Sequence, residues 1–288
     1  LNYNYMNIKG STNIVGLIGH PVEHSFSPPM HNAAFSDLNM DYAYVAFDVN
    51  PNDLKSAIVG ARSLNIKGLN VTIPHKIDVV RYLEEIDEIA SLIGAVNTID
   101  FEEMKGYNTD GIGAIKAIGE VTSIKDKNVV VAGAGGASRA ISFYIAKYGA
   151  SKLTIVNRNV EYAQRLARDV LNSKLTDNVC ADSINRINYY IKHADILIDT
   201  TPIGMHPHVG DNPIVTAEDM HEDLVVFDAV YNPNETVLIK EAIRAGAKPV
   251  CGIKMLLYQG AESFKIWTGC DAPVDVMEEA LRKKINLE

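Results

Sequence analysis

From Asn13 onward, short apolar runs and longer amphipathic stretches alternate almost without interruption. Apolar runs bounded by Gly, Asn or Asp predict strands, and apolar positions recurring every three to four residues predict helices. On that basis NIVGLIG (13–19), YAYVAFDV (42–49) and GLNVTIP (68–74) are strands, with helices over 28–39 and 51–64. The next segment changes character. AVNTIDFEEMKGYNTD (95–110) places two short strands about a charged turn, a hairpin, and GIGAIKAIGE after it predicts a helix.

The alternation restarts beyond the polar stretch SIKDKN (123–128), with NVVVAG, a helix, KLTIVN and a second helix, then strands at ADILID (194–199), LVVFDA (224–229) and KPVCG (248–252). Strands that are apolar throughout and divided by helices predict a parallel sheet covered on both faces, with right-handed crossovers: a doubly wound α/β domain. From about Ile253 the chain is predicted helical to its end. That segment has no strand of its own to cover, so it is expected to return to the first domain. The domain change is placed near Gly111, giving a first domain over 1–111, completed by about 253–288, and a second over 112–252.

At 288 residues, two domains of roughly 100 to 170 residues are the expectation. A net charge of −9 without any block of Lys or Arg argues against nucleic acid or an anionic membrane as partner, and leaves small-molecule chemistry. Cys180, Cys251 and Cys270 are widely spaced and include no Cys-x-x-Cys pair, which suggests reduced thiols in a cytoplasm rather than a disulfide framework or zinc ribbon. The opening LNYNYMNIKG has no apolar core of a signal peptide, and Met6 is a candidate translation start. His20, His24 and His31, or His206 and His208, have no recognised metal spacing, so no metal is expected.

VVVAGAGGASRA carries the strongest local chemistry. Gly133, Gly135 and Gly136 sit between a predicted strand and a predicted helix, inside a βαβ unit of roughly 30 residues, which is the context a dinucleotide requires. Gly133 permits the tight turn, Gly135 admits the pyrophosphate, and the helix N-terminus supplies free N–H groups. Ser138 takes the third glycine position and is small enough for close helix packing. At the end of the next strand an NAD site usually places Asp or Glu; here stand Asn157 and Arg158, and a guanidinium suits the 2′-phosphate of NADP.

Polar residues also gather at predicted strand ends of the first domain, where open α/β sheets bind ligands. They are Ser25 and Ser27, Asn70 to Lys76, Asn97, and Asp110. Each has an ordinary reading as well. Ser27 before Pro28 suits a helix N-cap, Asp110 could cap a helix starting at Gly111, Asn97 could brace the hairpin, and Lys76 could be solvated.

With HSFSPPMHN, GLNVTIPHK, GAVNT, YNTDG, GAGGASRA, the pair Asn157-Arg158, TTPIGM, YNP and GIKMLLYQGAESF in that order, the chain resembles the shikimate dehydrogenases. The resemblance implies an N-terminal α/β substrate domain, a Rossmann NADP-binding domain, and C-terminal helices that complete the first. It implies NADPH-dependent reduction of 3-dehydroshikimate, with Lys76 and Asp110 as the catalytic pair. Ser25, Ser27, Asn70, Thr72, Asn97, Tyr231 and Gln259 then match substrate positions. Gly133, Ala134, Gly135, Gly136, Ala137, Asn157, Arg158, Thr201, Gly252 and Met255 match cofactor positions. A monomer or homodimer is implied. One departure weakens the NADP expectation: many relatives follow the Asn-Arg pair with Thr and a further basic residue, whereas this chain has Asn159, Glu161 and Tyr162. An NAD-linked quinate/shikimate dehydrogenase and a non-catalytic ligand sensor share the scaffold and remain alternatives.

Overall fold

The computed structural model describes residues 8–285. The Met6 candidate start lies outside them. Contacts divide the chain into two compact units, one running to Thr109 and resuming at Gly260, the other spanning Asp110–Gln259.

In the first unit the apolar runs form β1 (Asn13–Gly19), β2 (Tyr42–Asp48) and β3 (Gly68–Val71), separated by α1 (Ser27–Asp37) and α2 (Leu54–Ser63). They are followed by β4 (Glu85–Ile86), α3 (Glu88–Ile93), β5 (Thr98–Asp100), β6 (Lys105–Tyr107) and the start of α4 (Thr109–Gly119). The sheet order is β2-β1-β3-β5-β6-β4. β1 pairs in parallel with β2 and β3, and the hairpin strands β5 and β6 are antiparallel, as the charged turn predicts. One sheet face buries Ile18, Leu69, Val71 and Ile99 against Leu54 and Ile58 of α2.

Local chemistry explains the elements the apolar pattern missed. α3 is short, but Asp87 caps it, accepting from the N–H groups of Ile89 and Ala90, and Gly94 ends it at φ 74°. β3 stops at Val71, short of the expected Pro74, because the N–H of His75 turns back to the carbonyl of Thr72 at 2.9 Å.

The second unit contains β7 (Asn128–Ala132), α5 (Gly136–Lys147), β8 (Lys152–Asn157), α6 (Val160–Asn172), β9 (Val179–Ser183) and α7 (Ile187–Ile191). Then come β10 (Ile196–Asp199), β11 (Val225–Asp228), α8 (Val237–Arg244) and β12 (Lys248–Val250). The order β12-β11-β10-β7-β8-β9 with parallel pairing throughout is the doubly wound arrangement. β9 escaped the sequence pattern because every residue of this edge strand is only half-buried, so no apolar run marks it.

The C-terminal segment is not one helix. α9 (Gly252–Thr268) ends at Gly269, whose φ is +71°, and α10 (Val274–Ile285) starts after Pro273. α10 packs on α1. Trp267 near the end of α9 donates its indole N–H to the carbonyl of Ile99 at 2.9 Å, which pins the helix to the first sheet.

Candidate active site

The C-terminal ends of β1 and β3 lie side by side, with Ile18 opposite Val71. Two backbone bonds continue the pairing beyond them: Thr72 N–H to Ile18 O at 2.9 Å, and His20 N–H to Ile73 O at 3.0 Å. The approach is close enough that a Cβ on Gly19 would meet the Thr72 methyl at 2.3 Å. The loop after β1 then carries Ser25 and Ser27 past this edge.

Ser27 is the first residue of α1, inside the helix and not its N-cap, which is Phe26. Its N–H is satisfied by the Ser25 hydroxyl at 3.2 Å. Nearby, burial raises the pKa of the Tyr44 phenol, and the Ser27 hydroxyl offsets part of that rise. Tyr44 stacks in parallel on His31 at 4.4 Å between centroids. Burial lowers the His31 pKa to about 3, so that ring is neutral at ordinary pH.

On the other side of β3, the N–H of Val96 donates to the carbonyl of Lys76 at 2.8 Å, and that of Val71 to the carbonyl of Asn97 at 2.8 Å. These bonds set the Lys76 turn beside Asn97. His75 points the other way, its ring bonded to Val49 O at 2.7 Å, and is buried. Ser25, Thr72 and Lys76 are half-buried, while Ser27, Asn70 and Asn97 are buried. One edge of the first sheet therefore unites Ser25, Ser27, Asn70, Thr72, Lys76 and Asn97.

Asn70 is held from within the protein. Its Oδ1 accepts from Tyr44 at 2.8 Å, and its Nδ2 lies within hydrogen-bond distance of Asn97 O, Thr98 Oγ1 and Ser263 Oγ at 3.2, 3.0 and 2.9 Å. Two amide protons facing three internal acceptors make Asn70 a brace of the site from within. Asn97 braces the open end of the hairpin: its N–H donates to Tyr107 O at 2.9 Å, and its Oδ1 accepts the backbone N–H of Thr109 at 2.7 Å. Thr109 begins α4, so Asp110 lies half-buried in the first helical turn and not at a cap. Asp110, Tyr231 and Gln259 fall in the second unit. Tyr231 is 38% exposed in the loop after β11, and Gln259, buried on α9, donates to Leu256 O at 2.9 Å.

In the second unit the turn after β7 has the form a dinucleotide phosphate needs. Gly133 has φ +109°, and a Cβ there would meet Thr200 Oγ1 at 2.3 Å, so only glycine fits. Gly135 and Gly136 have open space where a Cβ would stand, and no side chain caps the N-terminus of α5. Free backbone N–H groups and an unobstructed approach remain. Ser138 is buried and donates to Gly133 O at 2.7 Å, bracing the turn. Ala134 and Ala137 flank the glycines, half-buried.

Asn157 ends β8, its side chain donating to Asn159 O at 2.9 Å, and leaves Arg158 exposed at the strand tip. Thr201 is tied to Asp199, donating its N–H to the carboxylate at 2.8 Å. Gly252 opens α9 where a Cβ would meet Val230 O at 2.5 Å, so that glycine allows a close backbone approach. Met255 follows it on α9, half-buried.

Sequence reasoning missed Tyr44, Thr98, Thr109 and Ser263, all buried around Asn70 and Asn97. It also missed two carboxylates. Asp199 and Asp228 are opposed in the β10–β11 register, each 1% exposed. Burial, then the neighbouring Asp228, raises the Asp199 pKa to about 7; burial raises that of Asp228 to about 6. An acid closing each apolar run, ADILID and LVVFDA, was the available signal. Among the described residues no cluster of three or more His, Cys, Asp or Glu could hold a metal, and no helix is long and apolar enough to cross a membrane.

A doubly wound unit with a glycine phosphate turn, in one chain with a unit whose sheet edge presents a lysine among hydroxyls and amides, defines an NAD(P)-dependent oxidoreductase. Residues 17–99 match the shikimate dehydrogenase substrate binding domain, 115–234 the shikimate/quinate 5-dehydrogenase domain, and 252–282 the shikimate 5′-dehydrogenase C-terminal domain. The chain belongs to the shikimate dehydrogenase family.

The shikimate dehydrogenase (NADP(+)) of Methanobrevibacter smithii is 73% identical over 280 residues, covering 97% of this chain and 100% of that protein. That of Methanothermobacter thermautotrophicus is 54% identical over 281 residues, covering 97% and 99%. A crystal structure of a shikimate dehydrogenase in complex with NADP+ superposes with a TM-score of 0.91 at 50% identity, covering 96% of this chain and 97% of that one. The Listeria monocytogenes enzyme, solved with shikimate and NAD, gives 0.90 at 36% identity over 95% and 97%.

Proposed function

We propose that this chain catalyses the reversible NADPH-dependent reduction of 3-dehydroshikimate to shikimate in aromatic amino acid biosynthesis. The observation that carries the reading is the convergence of Lys76, Thr72, Asn97 and the Ser25/Ser27 pair on one edge of the first sheet, held by the Val96–Lys76 and Thr72–Ile18 backbone bonds. The relatives named above support it. A small acid with several ring hydroxyls requires many directed hydrogen bonds, which a cluster of hydroxyls and amides provides. Ser25 and Ser27 take the carboxylate, Asn70, Thr72, Asn97 and Gln259 take ring hydroxyls or carboxylate, and Tyr231 lies on the substrate side.

When bound, NADPH supplies the hydride. The protein must then manage the negative charge that develops on the ketone oxygen. Lys76 fills that role as an ammonium able to stabilise the alkoxide and deliver a proton, and Asp110 is the carboxylate that keeps the lysine charged. The cofactor would be held by the Gly133–Ala137 turn, with Arg158 on the 2′-phosphate and Asn157 on the adenosine end. Thr201, Gly252 and Met255 serve its nicotinamide half. No disulfide joins the three described cysteines, which supports action in a cytoplasm.

The test is loss of nicotinamide absorbance when purified protein meets 3-dehydroshikimate with NADPH, and separately with NADH. Loss confined to NADPH is the expected result. Comparable loss with both would keep the reaction and remove the role of Arg158, and binding without turnover would favour a ligand sensor. Both cofactors belong in the assay because a quinate dehydrogenase from Corynebacterium glutamicum, solved with NAD, shares the fold at TM-score 0.87 and 30% identity.

A further inference from the structure

Six side chains from five segments of the first unit form one buried polar network. Tyr44 donates to Asn70 at 2.8 Å. Asn70 reaches Thr98 and Ser263 at 3.0 and 2.9 Å. Ser263 lies 2.9 Å from the Thr98 hydroxyl and 3.3 Å from that of Thr109. Thr98 donates to Asn97 Oδ1 at 3.1 Å, and Asn97 Nδ2 donates to Thr109 Oγ1 at 3.0 Å. Ser263 and Thr98 are both 0% exposed.

Backbone groups orient both amides. The Thr109 N–H can only donate, so the atom of Asn97 that it meets at 2.7 Å must be the oxygen, and Nδ2 faces away from it. The Asn97 carbonyl can only accept, so Asn70 turns Nδ2 toward it and presents its oxygen to Tyr44. Between these amides stand three hydroxyls whose protons can rotate. Asn70 Nδ2 can only donate, which makes Ser263 an acceptor there and directs its own proton to the threonines. Ser263 comes from α9, well removed in sequence from the strands it joins.

We propose that Ser263, together with Thr98, is a positioning residue for substrate recognition, holding the Asn97 amide in the orientation in which it binds the ring. The inference rests on the reading of Asn97 as a substrate ligand. Neither hydroxyl touches the substrate in this account. Their effect passes through Asn97, and it falls on shikimate affinity with no effect on the cofactor.

A double-mutant cycle on the full-length enzyme tests this through the KM values for shikimate and NADP+. Ser263→Ala should raise the KM for shikimate about 5- to 20-fold, the scale of one buried hydrogen-bonded group, and leave the KM for NADP+ within about twofold. In an Asn97→Ala background the same substitution should change the shikimate KM less than about twofold, because the amide it positions is gone. An equal fold-change in both backgrounds, or an equal rise for NADP+, would overturn the proposal and leave Asn97 as a ligand. An unchanged shikimate KM in Asn97→Ala alone would remove that reading and the inference with it. Thr98→Val, which keeps the side-chain shape and removes the hydroxyl bonded directly to Asn97, provides the same cycle should Ser263→Ala not fold.

Discussion

Gly68 opens the strand that carries Asn70 and leads to Lys76, and it is the position where the smallest substitution should have the largest consequence. A Cβ added there would lie 2.0 Å from Trp267 Nε1 and 2.2 Å from Cδ1. Ordinary contact needs about 3.5 Å, so the indole must retreat by roughly 1.5 Å. It cannot do so and keep the 2.9 Å bond from Nε1 to the Ile99 carbonyl. Overpacking of this kind costs about 1–3 kcal/mol, and an orphaned buried donor and acceptor about 1–3 more. The entropy that alanine removes from the unfolded chain returns about 0.4–1 kcal/mol. The net loss for Gly68→Ala is therefore about 1–6 kcal/mol, centred near 3. Trp267 is the single tryptophan, so its fluorescence reports the site directly. The variant should show a shifted emission maximum, a lower urea midpoint in the first unit, and a raised shikimate KM, since Ser263 lies one turn earlier on the same helix. Emission and midpoint identical to the unaltered protein would refute the packing argument. A second substitution, Trp267→Phe, should recover part of the loss by opening space for the methyl.

Lys76→Ala should retain NADP+ binding by calorimetry and lose at least about 100-fold in turnover; near-normal turnover would remove the proton-donor role. Arg158→Ala should raise the KM for NADPH far more than that for NADH, and equal effects would show that the β8 tip does not read the 2′-phosphate. Asp199 makes a pH prediction. Its folded pKa of about 7 stands above the ordinary 3.8, so the folded chain retains a proton that the unfolded chain has released. The stability this confers is complete below about pH 4 and is lost as the pH rises toward 7, by an amount on the order of 4 kcal/mol. Asp199→Asn keeps an oxygen for the Thr201 N–H and cannot ionise, so its urea midpoint should gain on that of the unaltered protein between pH 5 and 8. Parallel pH profiles would refute the assignment.

Much of the fold was legible because both sheets draw on strands whose apolar runs are continuous or nearly so. The extents of β1 and β8 follow from NIVGLIG and KLTIVN, since burial on both faces leaves no polar interruption. Where burial is partial, as in β9, or an element is made by a cap, as in α3, the pattern is silent and hydrogen bonding decides. The break between α9 and α10 was readable in Gly269 and Pro273 but lies inside an apolar periodicity that masks it.

By itself the sequence determined what depends on neighbours along the chain. It set the alternation that makes a doubly wound sheet, the glycines of the turn after β7, the arginine at the β8 tip, and the motifs that mark the family. Tertiary structure alone decided which polar groups meet one another. Asn70 and Asn97 have the same side chain in similar motifs. Tyr44, Thr98 and Ser263 hold the first, and Thr98 together with the N–H and hydroxyl of Thr109 holds the second. Hydrogen bonds of that kind depend on distance in space and on which atoms donate, and no local pattern encodes either. The opposition of Asp199 and Asp228 arises in the same way, from a strand register that brings two ordinary acids together out of reach of water.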